Sequence, residues 1–134
     1  LPILKDGYVI NLGNRKMRTV STPGHTPGSV CFFEEKTRVL FSSDLLYGGP
    51  LYCFEPESNS WDYEKSLRKI KDLDPKIIHP GHNDFERGPE LVEAALSLFT
   101  REHGGNKPDN EKDGIREYEY DGSLQVGRLN LLVK

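Results

Sequence analysis

Two Pro-Gly-His triplets, Pro23-Gly24-His25 and Pro80-Gly81-His82, each follow a short run with strand character. Proline locks its own φ, and glycine opens backbone angles closed to other residues. Each triplet is therefore a stiff loop that regular structure cannot run through. The first is part of Pro23-Gly24-His25-Thr26-Pro27-Gly28, two prolines and two glycines in six residues. The chain must accordingly fold with strands that stop in loops carrying an imidazole. A third strand, Leu40-Phe41-Ser42-Ser43-Asp44, ends in a carboxylate. Three strand ends thus present His25, Asp44 and His82, the ligand types favoured by zinc and by non-haem iron or manganese. Singly, a lone histidine is more often a hydrogen-bonded structural residue, and a strand-end aspartate more often a turn residue. Their matching contexts point to a shared metal site.

The remaining pattern predicts the elements around these loops. Tyr8–Leu12 and Met17–Ser21 read as strands separated by the turn Gly13-Asn14. Ser29–Phe33 and Arg38–Phe41 form a hairpin across the polar turn 34–37. Gly48-Gly49-Pro50 opens an irregular loop. Asp62 is the expected cap of a helix over 63–73, where Leu67, Ile70 and Leu73 recur at helical spacing. Lys76–His79 is a short strand. A second helix runs from about Pro89 to His103, with Leu91, Ala94, Ala95 and Leu98 on one face and Gly104-Gly105 as its stop. Residues 104–114 read as a linker or mobile loop. Residues 115–120 alternate, Asp121-Gly122 is the expected hairpin turn, and the segment ending in Leu129–Val133 is the return strand. Antiparallel hairpins with helices on one side make an α+β layered domain.

Composition narrows the function classes. The net charge is −3, with a sequence pI near 5.8, against the basic excess of a nucleic-acid binder. No run of about 18 apolar residues offers a membrane span, and no signal-peptide pattern opens the chain. Two cysteines in unlike contexts, Cys31 and Cys53, are weak evidence for a disulfide, so a reduced cytoplasmic setting is expected. Apolar residues make up 35% of the chain and its mean hydropathy is −0.63. That predicts a thin core and leaves open its completion by another segment.

The motif order Thr22-Pro23-Gly24-His25-Thr26-Pro27-Gly28-Ser29, Val39-Leu40-Phe41-Ser42-Ser43-Asp44 and Ile78-His79-Pro80-Gly81-His82 resembles the C-terminal half of the metallo-β-lactamase fold superfamily. Lys5–Gly13 looks like the start of that half. The likeness is to glyoxalase II-like and acyl-CoA thioesterase-like hydrolases more than to antibiotic-degrading enzymes. It implies half of an αβ/βα sandwich, with a mixed or antiparallel sheet carrying helices on one face. Residues 1–112 would be the C-terminal half of the domain and 113–134 a β-hairpin extension. By the same resemblance His25 ligates the first metal, Asp44 bridges both metals as the catalytic carboxylate, and His82 ligates the second. The implied cofactor is one or two Zn2+ ions, with Fe or Mn as alternatives. A metal-activated hydroxide would attack a small acyl thioester-like substrate or related ester.

Three departures qualify the likeness. Ser43 and Asn83 stand where the family usually or often has glycine, and the His-x-His-x-Asp-His motif of the N-terminal half is absent. The chain is therefore expected to be an enzyme only when completed, by the missing N-terminal half or by a second copy. The alternative is a non-catalytic half-fold serving as a structural or dimerisation module.

Other residues carry weaker expectations. His79 reads as structural rather than a ligand, and His103 as a solvated residue at a helix C-terminus. Thr22, Thr26, Ser29, Ser43 and Asp84 are candidates to orient the metal-binding side chains. The aromatic stretch Tyr47, Tyr52, Phe54 and Trp61 reads either as a substrate wall or as packing for the first helix. Cys53 offers a weaker redox reading.

Overall fold

A computed structural model describes residues 4–134. In chain order the elements are β1 (Val9–Asn11), β2 (Lys16–Ser21), β3 (Val30–Glu34), β4 (Val39–Ser43), β5 (Gly49–Cys53), α1 (Ser60–Leu73), β6 (Ile77–Pro80), α2 (Glu90–His103), β7 (Asn110–Lys112), β8 (Ile115–Glu119) and β9 (Leu129–Val133). They form two sheets, ordered β1-β2-β3-β4-β6 and β5-β9-β8-β7. The first sheet is antiparallel except for the β4–β6 pair. Parallel neighbours need a long crossover, and α1 lies within it.

Alternation along the strands sets which face of the first sheet is buried. Cys31, Phe33, Leu40 and Ser42 are fully or almost fully buried, whereas Phe41, in β4 between two of them, is 39% exposed. The buried face shares a core with Tyr63, Leu67 and Ile70 of α1 and with Leu91, Ala95, Leu98 and Phe99 of α2. Each such aliphatic side chain contributes about 1.5–3 kcal/mol by leaving water. The rings of Tyr63 and Phe99 join the two helices at 4.7 Å. α2 also packs against β8 and β9, whose Tyr118, Leu129, Leu131 and Val133 extend the core. Among the described residues no helix is long and apolar enough to cross a membrane.

Several local expectations are corrected. The cap of α1 is Asn59, whose side chain accepts from the Asp62 N–H at 3.0 Å, so Asp62 lies inside the first turn. Residues 104–114 are not simply a linker, because they contain β7, paired antiparallel with β8. The two-residue turn is Asp113-Gly114, both left-handed (φ 53° and 78°), which suits the twist of a tight hairpin. Asp121-Gly122 instead lies within the longer connection 120–128 between β8 and β9. β5 occupies what reads as irregular loop. Its partner is β9, parallel and some eighty positions away, from Gly49↔Leu129 to Cys53↔Val133. No local pattern reveals such a pairing.

Candidate functional site

The loop after β2 is bolted to the start of α1. The Asn59 N–H donates to the Gly24 carbonyl at 2.8 Å, the Ser58 hydroxyl to the His25 carbonyl at 2.8 Å, and the Ser66 hydroxyl to the Pro23 carbonyl at 2.6 Å. Gly24 is required by contact: a Cβ there would lie 2.5 Å from the Tyr63 Cβ and 2.6 Å from its backbone nitrogen. These constraints hold the His25 backbone. Its ring is aimed by another contact, between Nδ1 and the Tyr52 carbonyl at 2.9 Å. A carbonyl only accepts, so Nδ1 carries the proton and Nε2 keeps its lone pair.

Asp44 follows β4 at a register shift between Phe41 and Ser43 in the β4–β6 pairing, an irregularity of the kind that re-aims side chains. The next loop lies directly over it. The Gly81 N–H donates to the Ser43 carbonyl at 3.0 Å, and a Cβ on Gly81 would meet that oxygen at 2.7 Å. This approach brings His82 Nε2 against Asp44 Oδ1. Ser43 and Asn83, the two departures from the family's glycines, both have left-handed backbones, φ 51° and 67°. Asparagine enters that region more readily than most residues, whereas serine takes it at a cost.

His25, Asp44, His82, Tyr47, Pro50, Tyr52 and Asn83 line a cleft of about 320 Å³. The ring of Tyr47 meets His82 edge-on at 5.3 Å, and burial pushes its phenol up to about 12. Among the described residues no lysine or arginine lines this cleft. Imidazole nitrogen and carboxylate oxygen are suitable zinc donors, so the donor chemistry fits a divalent cation. The set is partial: among the described residues no three His, Cys, Asp or Glu side chains stand close enough to hold a metal ion by themselves. A cleft of similar size, about 340 Å³, opens at the other end of the first sheet between Arg15, Arg18, Phe33 and Lys36 and contains none of these three residues.

The other candidates divide clearly. His79 stacks on Phe41 at 5.3 Å, and its Nδ1 pairs with the Phe85 carbonyl at 2.7 Å, outside the cleft. His103 is not solvated. Its side chain is 7% exposed, stacked on Trp61 at 3.6 Å and placed between Glu64 and Glu102. Only Tyr47 and Tyr52 of the aromatic stretch line the cleft, while Phe54 packs edge-on against Tyr52. Thr26 and Ser29 bond each other at 2.8 Å and Thr22 approaches Cys31, so none of these three orients His25. The group that does is a backbone carbonyl on β5, which carries no side-chain signature. Burial pushes the Cys53 thiol up to about 12, against a redox role.

Residues 2–82 match the family model described as the metallo-beta-lactamase superfamily, a span that includes His25, Asp44 and His82. The human protein named acyl-coenzyme A thioesterase MBLAC2 is 38% identical over 103 residues, which is 74% of this chain and 37% of that protein. A hydroxyacylglutathione hydrolase from Francisella tularensis subsp. novicida is 40% identical over 99 residues, 72% of this chain and 38% of that protein. The chain therefore spans less than two-fifths of the length of these relatives. The crystal structure of a metallo-beta-lactamase superfamily protein from Sulfolobus tokodaii superposes with a TM-score of 0.62 at 20% identity. That superposition covers 89% of this chain and 43% of that one, a likeness of fold. With the family model matching well over half of its residues, the chain belongs to the metallo-beta-lactamase superfamily.

Proposed function

We propose that this chain is the C-terminal half of a metal-dependent thioester hydrolase, with His25, Asp44 and His82 as its share of a zinc centre. The observation that carries this reading is the convergence of His82 Nε2 on Asp44 Oδ1 beside His25, whose Nδ1 is already committed to Tyr52. The names of the relatives supply the substrate class, an acyl thioester. In this reading the chain up to 112 belongs to the half-domain and 113–134 is its β-hairpin extension, whose β9 pairs with β5. The partly uncovered face of the first sheet, where Tyr8 is 55% and Phe41 39% exposed, is suited to receive the remaining half. Two free, buried cysteines fit a reducing compartment such as the cytoplasm.

Each residue has a definable task. His25 presents a fixed Nε2 lone pair because its other nitrogen is held by a carbonyl. Asp44 brings anionic oxygen, half-exposed at the cleft mouth. His82 adds a further nitrogen donor from the opposite loop. Tyr47 and Tyr52 give the cleft an aromatic wall against which an acyl group can pack. A bound zinc ion would supply Lewis acidity, lowering the pKa of bound water towards neutrality.

The test is turnover of an acyl-CoA series, with metal analysis, by the full-length protein. His25→Ala and Asp44→Ala should each lower kcat/KM by more than about 100-fold while the fold is retained, with loss of bound metal. Wild-type rates in either variant would refute the assignment. Full metal occupancy with no thioester turnover in the wild type would retain the metal site and remove the substrate class.

A further inference from the structure

Just beyond His82, one ion pair ties three segments together. The Asp84 N–H donates to the His82 carbonyl at 2.7 Å, closing the turn after the ligand. The Asp84 carboxylate accepts from Arg87 Nη1 at 2.9 Å and, through the same Oδ2, from the Gly48 N–H at 3.0 Å. Asn83 Nδ2 donates to the Gly48 carbonyl at 2.9 Å, so both sides of Gly48 are held by the His82 loop. Arg87 Nη2 reaches the Val126 carbonyl in the β8–β9 connection. Arg87 itself is fixed by reciprocal 2.8 Å backbone bonds to Ile78 on β6, and its side chain is 14% exposed.

Gly48 leads directly into β5, and β5 carries the Tyr52 carbonyl that aims His25. β5 is held on its other side by β9, and the Gly49 N–H bonds the Arg128 carbonyl at 2.7 Å. The ion pair is thus the shared fixing point of the His82 loop, the strand that orients His25, and the C-terminal hairpin. The pair closes directly over Gly48. A Cβ there would lie 2.5 Å from Arg87 Nη1 and 2.6 Å from Asp84 Oδ2, displacing the pair.

We infer that Asp84 and Arg87, seated on Gly48, are positioning residues that set His25 and His82 relative to one another, and that the C-terminal hairpin acts on the metal site through them. Neither Asp84 nor Arg87 lies in the segment matched by the family model, which ends at 82. As a statement about metal affinity the inference rests on the proposed function. As a statement about the His25 ring it does not. The pair is partly buried and makes charge-assisted hydrogen bonds, the strong kind. Groups that orient metal-binding side chains typically change affinity about 10–100-fold when removed.

The test uses the full-length protein with Arg87→Met, Asp84→Asn and Gly48→Ala. Side-chain 15N NMR of the metal-free protein reports which nitrogen of His25 is protonated, and competition with a chelator reports zinc affinity. Wild type should show the proton on Nδ1. Arg87→Met should mix the two tautomers and weaken zinc about 10–100-fold. Asp84→Asn removes the charge that holds Arg87 while keeping an oxygen for Gly48, and should shift the tautomer and zinc affinity in the same direction as Arg87→Met. Gly48→Ala removes no polar group and should reproduce the Arg87→Met result, which keeps the inference testable should one variant misfold. An unchanged His25 tautomer in both Arg87→Met and Gly48→Ala would overturn it. If wild type takes up no zinc, the proposed function fails, and the tautomer comparison still decides the positioning role.

Discussion

Gly24→Ala is the sharpest test of how the first histidine loop is held. The added Cβ would sit 2.5–2.6 Å from Tyr63 Cβ and backbone nitrogen, where carbon contacts normally begin near 3.5 Å. Loop and helix would therefore have to part by about 1 Å. Helix α1 cannot easily yield, because Tyr63 is fully buried and its hydroxyl is bonded to the Leu45 carbonyl. Overpacking of this kind costs about 1–3 kcal/mol. Gly24 also has φ +146°, a region nearly reserved for glycine, which adds about 1–3 kcal/mol. The sum, about 2–6 kcal/mol, is a large share of a domain's stability. Urea unfolding monitored by Trp61 fluorescence measures it, and Tm should fall by at least about 6 °C. Gly28→Ala is the control in the same loop: nothing lies within 4 Å of its Cβ position and its φ is not positive, so it should stay within about 1 kcal/mol of wild type. A Gly24→Ala loss below about 1 kcal/mol, or one equal to that of Gly28→Ala, would refute the close-approach argument.

Two further perturbations read other parts of the site and core. At Ser43, glycine should be neutral to stabilising by up to about 1 kcal/mol, while valine should cost at least about 1–2 kcal/mol because φ is 51°; equal denaturation midpoints for the two variants would contradict this. Burial pushes the Cys31 and Cys53 thiols from 9.0 up to about 12, so the folded state favours the neutral thiol. Their contribution to stability is complete below pH 9 and is lost as pH rises from 9 towards 12. Both should resist iodoacetamide at pH 8 until the chain unfolds, and rapid labelling of the folded protein would oppose the assigned burial.

Local chemistry determined much of this molecule. Prolines and glycines around His25 and His82 forced loops at two strand ends, and the apolar strand before Asp44 delivered the third group. Period-3.6 spacing in 63–73 and 91–98 located the helices, since each must turn an apolar stripe towards a core. Motif order sufficed to indicate the superfamily. These features depend on neighbours a few residues apart, which is why they can be read without coordinates.

The tertiary structure decided the rest, through contacts between residues distant in the chain. β5 begins Gly49-Pro50 and lacks a strand's alternation, and it becomes a strand only because β9 supplies its hydrogen bonds. The group that aims His25 is a carbonyl twenty-seven positions away, not any nearby threonine or serine. Of the Asp-Gly pairs at 113–114 and 121–122, the first makes the tight turn because β7 and β8 are in register across it. The His103 side chain is shielded because Trp61 covers its ring from α1. Backbone carbonyls and sheet edges carry no residue signature, so their partners are chosen only when long loops close and every buried donor and acceptor must find a match.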